Sequence, residues 1–272
     1  MAEYLGTLGR LVRLRCASTE QMSRSERYVL QGDAVGGVRA QLRPRAPRAW
    51  DIGVAALNDR DLAALEGFVE GEWGAGPWMW VSIAAQHGNL LTPAESLCLT
   101  SQAAPGVVAE SGPMQCADGT WAGRSYSGVY TGSGWVSVWS DVPVLPGRPV
   151  TFSADVTGDG QTPPVLNIGF WDASGNALWS GPSAPGVVTT GATRVSVTAT
   201  PPPGAASARA GIRSSVKRLT RPQVTWGDKE VPWTTGKGCR KAIPLGVSSA
   251  LLWSPGPGRG LSGVQVTIQE LT

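Results

Sequence analysis

Apolar and polar residues alternate in three short runs near the start of the chain. Val12, Leu14 and Cys16 share one side of residues 10–16, opposite Arg13 and Arg15. In residues 37–43, Val38, Ala40 and Leu42 oppose Arg39, Gln41 and Arg43; in 50–54, Trp50, Ile52 and Val54 oppose Asp51 and Gly53. A period of two marks half-buried strands. The period then lengthens. Leu62, Leu65, Phe68 and Val69 recur at near-helical spacing, behind Asn58 as an N-cap and Asp59 and Asp61 in the first turn. Gly71 ends that pattern, predicting one helix and, after a Gly-Ala-Gly-Pro turn, an aromatic strand over 78–83 with Trp78 and Trp80. Leu62, Leu65, Phe68, Trp78 and Trp80 are the expected packing joint between helix and sheet.

Beyond residue 112 the runs are short and separated by Gly, Pro, Asp and Ser. Strands are expected at 135–139, on either side of Pro146-Gly147, at 165–171, 177–180, 194–200, 206–212 and 223–226. Strands of this length and spacing predict a β-sandwich or jelly roll. The final runs, 250–253 and 263–270, can either extend that sandwich or return to the first domain. Linker-like stretches at 101–112 and 236–239 favour the return. The expected fold is therefore mainly β. A discontinuous β-rich domain with one helix (1–100 plus 239–272) carries an inserted sandwich (112–235).

Composition agrees: 36 Gly, 21 Pro and 12 Trp spread along 272 residues suit many turns and packed cores rather than disorder. The net charge of +3 is uneven, at +5 over residues 1–50, −6 over 51–100, −3 over 101–200 and +7 over 201–272. These charges either neutralise one another within a fold or meet between copies of the chain. Basic residues are not interleaved with stacking aromatics, so no specific nucleic-acid binding is expected. No apolar run is long enough for a membrane span, and the start lacks the apolar core of a secretory signal. Cys16, Cys98, Cys116 and Cys239 lack metal-ligand spacing and are expected reduced, with a Cys98–Cys239 bridge as the alternative.

The order of these pieces resembles a known family. Alternating basic strands precede W-D-I-G-V. D-L-A-A-L-E-G-F-V-E-G-E-W-G-A-G-P-W, N-L-L-T-P and a closing S-G-V-Q-V-T-I-Q-E-L follow. This order resembles distal tail (minor tail) proteins of long-tailed actinobacteriophages, siphoviruses. The middle, with V-P-V-L-P-G-R-P-V-T-F-S-A-D-V and P-P-G-A-A-S-A-R-A-G-I, is similar to carbohydrate-binding-module-like jelly rolls. The resemblance implies a non-enzymatic virion protein at the tail tip, assembled in the host cytoplasm. It implies a homo-oligomeric ring, usually of six copies, joining tail tube protein to tail tip and hub proteins. The sandwich would face outward towards a host-surface glycan or a neighbouring tail protein. A stand-alone carbohydrate-binding adhesin is the alternative, and a glycoside-acting enzyme a more remote one.

Chemistry-bearing residues are few. His87 is the sole histidine, no G-x-S-x-G elbow exists, and Glu66 and Glu70 read as a solvated helix face, so no catalytic residue is expected. Trp135, Trp139, Trp171 and Trp179 are read mostly as core. Trp121, Tyr126 and Tyr130, in a Gly/Ser-rich stretch, are the aromatics expected to be exposed and so the candidate glycan contacts. No cofactor is expected. Asp155 and Asp159, near Gly160, are the candidate ligands for a structural calcium ion, against the plainer reading of a turn between strands.

Overall fold

The structure, a computed structural model, describes all residues except 1, 16–18, 25–27, 33–37, 43–46, 102, 104–107, 129–133, 180, 255, 257–259 and 272. Tyr130 and Cys16 thus lie outside the described residues. The chain is mainly β, and its elements run as follows. First come β1 (Ala2–Thr7), β2 (Arg10–Arg15), β3 (Thr19–Arg24), β4 (Tyr28–Gly32), β5 (Val38–Leu42), β6 (Arg48–Asn58), α1 (Asp59–Val69) and β7 (Trp78–Val81). Next are α2 (Ile83–His87), α3 (Pro93–Ser96), β8 (Val108–Ser111), β9 (Met114–Gln115), β10 (Trp121–Ala122) and β11 (Ser125–Gly128). The middle continues with β12 (Trp135–Pro143), β13 (Val150–Thr157), β14 (Val165–Trp171), β15 (Ala177–Trp179), β16 (Ser183–Pro185) and β17 (Thr193–Ala199). It closes with β18 (Ser207–Arg213), β19 (Arg218–Trp226), β20 (Cys239–Trp253) and β21 (Leu261–Glu270).

Two compact units emerge: residues 1–7, 11–80 and 239–272, and residues 8–10 and 81–238. Residues 81–100, grouped with the discontinuous domain on the sequence pattern, count with the second unit.

The first unit is a seven-stranded sheet in the order β2-β1-β7-β20-β21-β6-β3. β21 lies between β20 and β6, antiparallel to both, with Val266 opposite Val247 on one side and Ile52 on the other. Its alternation dictates its packing. Val264, Val266 and Ile268 are buried on the face that also buries Trp50, Ile52 and Val54, while Gln265, Thr267 and Gln269 point the other way. On the buried face lies α1. Asn58 Oδ1 accepts the Asp61 backbone N–H at 2.8 Å, starting the helix as expected. Leu65 and Phe68 are buried in one cluster with Trp50, Trp78 and Trp80, and Leu62 packs against its edge. Phe68 meets Trp78 edge-on at 5.1 Å and is stacked by Trp73 at 5.6 Å. Glu66 and Glu70 are exposed on α1. Burying each large side chain of this cluster stabilises the fold by about 1.5–3 kcal/mol.

The second unit is a sandwich of two five-stranded sheets. One has the order β17-β13-β19-β11-β8; the other runs β12-β18-β14-β15, with β16 also on β14. The inner residues of β13 (Val150, Phe152, Ala154, Val156) are fully buried, as are Leu166, Ile168 and Phe170 of β14. The outward residues Thr151, Ser153 and Asp155 are buried too, because the outer face of that sheet is covered. Residues 88–90 and 232–234 supply the cover. Leu90 N–H donates to Val224 O at 2.7 Å, and Gln223 Nε2 donates to Gly88 O at 2.7 Å and Pro232 O at 3.1 Å. Two short helices form on either side of residues 88–90, which corrects the one-helix expectation. α3 starts with a capping box in which Thr92 Oγ1 accepts from Glu95 N–H and the Glu95 carboxylate accepts from Thr92 N–H. Cys98, Cys116 and Cys239 are free thiols, so the Cys98–Cys239 bridge is not formed. Burial pushes the Cys98 thiol up to about 12.

Candidate functional site

Two features of the sandwich gather chemistry, and neither centres on the aromatics chosen from sequence. Trp121 is exposed, at 67%, on β10, which pairs only with β9 among the described residues. Tyr126 is not exposed: it is 2% accessible, because β11 pairs with both β8 and β19 and turns its ring towards Trp139, 6.3 Å away. Desolvation there raises the Tyr126 phenol well above its ordinary range. Trp139 is core, with no exposure. His87 is exposed at the end of α2.

Trp135 and Trp171 instead lie half-buried on the outer face of the second sheet. Trp135 is the cross-strand partner of Arg213, and two positions along β18 is Gly211. A Cβ on Gly211 would lie 2.5 Å from Trp135 Cε3, and one on Gly169 would lie 2.8 Å from Trp171 Cζ3 and 3.0 Å from Trp135 Cζ2. Both indoles therefore sit against the backbone at these glycines, and at Gly211 the Val136 carbonyl oxygen excludes a Cβ even before the ring does. Their ring centroids are 5.8 Å apart at 66°. The Arg209 guanidinium stands 4.2 Å from the Trp171 centroid, and its Nε is buried without a hydrogen-bond partner among the described residues. Arg213 Nη2 donates to Ser183 Oγ at 3.3 Å, and Ser183 Oγ donates to Asn167 Oδ1 at 2.6 Å. The sequence signal for this site was available: a glycine inside each of two strand patterns, I-G-F-W and A-G-I-R, marks close approach to a backbone.

The second feature is a cleft of about 420 Å³ lined by Asp118, Asp155, Arg194, Arg221, Glu230 and Trp233. Arg194 bonds Ser153 Oγ at 2.8 Å, Gln223 Oε1 at 3.0 Å, Arg221 O at 2.8 Å and Glu230 Oε1 at 3.1 Å, and stands 3.7 Å from Asp155 Oδ1. Arg221 donates to Asp118 Oδ2 at 2.9 Å and Thr120 Oγ1 at 2.7 Å and lies over Trp233. Its φ of +49° belongs to the register shift that sets Ser153 opposite Gln223 but Asp155 opposite Thr220. The Thr120 hydroxyl and N–H, with Arg221, hold Asp118 at about 2, whereas burial pushes Asp155 up against the pull of Arg194. These groups satisfy one another. They fasten residues 118–120 and 230–233 to the sheet.

Of the two calcium candidates, Asp155 is committed to this cluster, beside Arg194. Asp159 accepts from the N–H groups of Gln161 and Thr162, both at 2.8 Å, as a turn-forming side chain. Among the described residues no group of three His, Cys, Asp or Glu side chains converges.

No protein-family model and no curated protein matches the chain. Among solved structures it is similar to the enzymatically active domain of tailspike protein 4 from Bacteriophage CBA120. That match has 17% identity and a TM-score of 0.33 over 46% of this chain and 18% of that one. It is also similar to the CBM22-1–GH10 modules of Clostridium thermocellum endo-1,4-beta-D-xylanase 10B, with 13% identity and a TM-score of 0.31 over 47% of this chain and 26% of that one. The chain spans about a quarter or less of the length of either structure, and likeness at this level carries no functional assignment.

Proposed function

We propose that the chain is a structural protein of a phage tail, of the distal tail type. Its discontinuous unit assembles copies into a ring between the tail tube and the tail tip or hub proteins. Its sandwich contacts a host-surface glycan or a neighbouring tail protein. The order of sequence motifs supports the family, and six copies is the number that family implies. The reading includes no catalysis and places the protein in the virion after assembly in the host cytoplasm.

One observation carries the assembly reading. β20 runs for fifteen residues, but β7 pairs with it only around Cys239 and Ala242. From Leu245 to Trp253 the side of β20 away from β21 has no strand beside it among the described residues. Along that run Leu245, Leu251, Leu252 and Trp253 are 58%, 68%, 60% and 57% exposed. An extended apolar strand with an open edge is a template for pairing with another chain, and a monomer would keep such an edge short, charged or covered. Light scattering on the full chain alone should give a multiple of 28.3 kDa, or, mixed with tube and tip proteins, a complex that holds more than one copy of it, and Leu251→Glu should lower the copy number. A monomer under all these conditions would overturn the ring.

The half-buried Trp135 and Trp171 favour the second reading, a stand-alone carbohydrate-binding adhesin. A chain that stays monomeric yet binds glycan would establish it over the first.

A further inference from the structure

We infer that the outer face of β12, β18 and β14 is a binding site for an acidic glycan, a chain of pyranose rings bearing carboxylate or phosphate groups. The inference rests on the reading of the sandwich as a contact surface and specifies what it contacts.

Three observations converge on this face. First, the two indoles are seated rather than loose. Gly211 and Gly169 occupy positions where a side chain would collide with Trp135 and Trp171, so both rings pack closely against the strand backbone. Second, they are half-buried, in a unit whose core already encloses Trp139, Phe152 and Phe170 with no exposure. An indole that packs on backbone on one side and meets water on the other offers an apolar face to a ligand at little conformational cost. Pyranose rings have matching apolar C–H faces. Third, the polar groups beside the rings are cationic or hydrogen-bonding. Arg213 is cross-strand from Trp135 and exposed, Arg209 is against Trp171, and Ser183 and Asn167 lie between. Arg209 is stacked on Trp171 with its Nε buried, so the exposed guanidinium is that of Arg213, beside Trp135, and an apolar ring next to an exposed guanidinium complements a sugar ring that carries an anionic substituent.

The angle of 66° between the rings argues against single-stranded nucleic acid, the other anionic ligand that uses aromatic stacking. Successive bases need near-parallel platforms and a basic groove along the backbone. Two tilted facets suit consecutive sugar rings, whose faces turn along a glycan chain.

The test uses the full chain on an array of acidic and neutral pyranose oligosaccharides, with oligothymidylate as a nucleic-acid control. Binding should be confined to acidic glycans, weaken with salt, fall at least tenfold in Trp135→Ala and lose most of its salt dependence in Arg213→Gln. Trp135→Phe, which keeps a ring, should retain part of the affinity. Both Trp135 variants should keep the oligomeric mass of the parent. A silent array, binding to neutral glycans alone, full affinity in Trp135→Ala, or Trp135-dependent binding of oligothymidylate in preference to glycan would each overturn the inference. A silent array from a chain that still forms rings removes only this inference. Glycan binding by a monomer removes the ring and leaves it standing.

Discussion

At the residue scale a buried ion pair fixes the register of the first unit. Arg48 Nη2 meets Glu270 Oε1 at 2.8 Å and its Nε meets Oε2 at 2.9 Å, with side chains 3% and 1% accessible. The pair joins the start of β6 to the end of β21, residues more than two hundred positions apart. Desolvating two charges costs as much as their attraction returns, so the pair specifies register more than it adds stability. Removing one partner is different. Arg48→Met takes the guanidinium from a buried carboxylate and should cost about 3–5 kcal/mol of the first unit's stability, whereas Arg48→Met with Glu270→Leu should recover most of the loss. Urea denaturation of the single and double variants checks this, and a double variant as weak as the single would sink the argument. Neither partner was legible from sequence. Arg48 follows a proline in a basic stretch and Glu270 ends the buried face of β21 after Val264, Val266 and Ile268, and only the closed sheet brings them together.

At the scale of elements, legibility followed local signals. α1 was readable because a cap, a period and a stop coincide between Asn58 and Gly71. β21 was readable from its strict alternation. The cover of the sandwich was not, since residues 84–100 and 227–238 show neither a sustained alternation nor a helical period and gain their order from bonds to β19. Asn89 illustrates why. Its amide donates to Pro222 O and Thr234 O at 3.0 Å, and its Oδ1 accepts from Leu91 and Val224 N–H. Nothing in N-L-L-T-P announces partners that distant. One signal nearby was present and passed over: Thr92, Pro93 and Glu95 spell a capped helix start. Thr92→Ala should therefore destabilise the second unit by about 1 kcal/mol, visible as a lower Tm, while leaving glycan affinity unaltered. No shift in Tm would mean that the cover is held by tertiary bonds alone. The half-burial of Trp135 and Trp171 was not legible for a related reason. Strand alternation shows that two faces exist, but not which face the second sheet leaves to solvent.

At the scale of the whole molecule, two hydrophobic cores divide the chain. Leu65 is 1% exposed in the first core, among Trp50, Phe68 and Trp80. Leu65→Asp puts a carboxylate there and should unfold the first unit and abolish assembly, while the sandwich keeps its own cooperative transition in calorimetry. Loss of both transitions together would show that the two units fold as one.

The interleaving of β21 between β20 and β6 has a consequence for synthesis. Asn58 on β6 pairs with Leu261 on β21, so the sheet waits for about 200 further residues to be translated. At roughly 5–20 residues per second that delay is about 10–40 s. During it the sandwich has time to fold, while β6 and α1 lack the strand that completes their hydrophobic face. A nascent or prematurely terminated chain therefore lacks an interior strand of the seven-stranded sheet. Only a chain translated through residue 270 can complete the first unit, so truncation anywhere upstream leaves its hydrophobic face open.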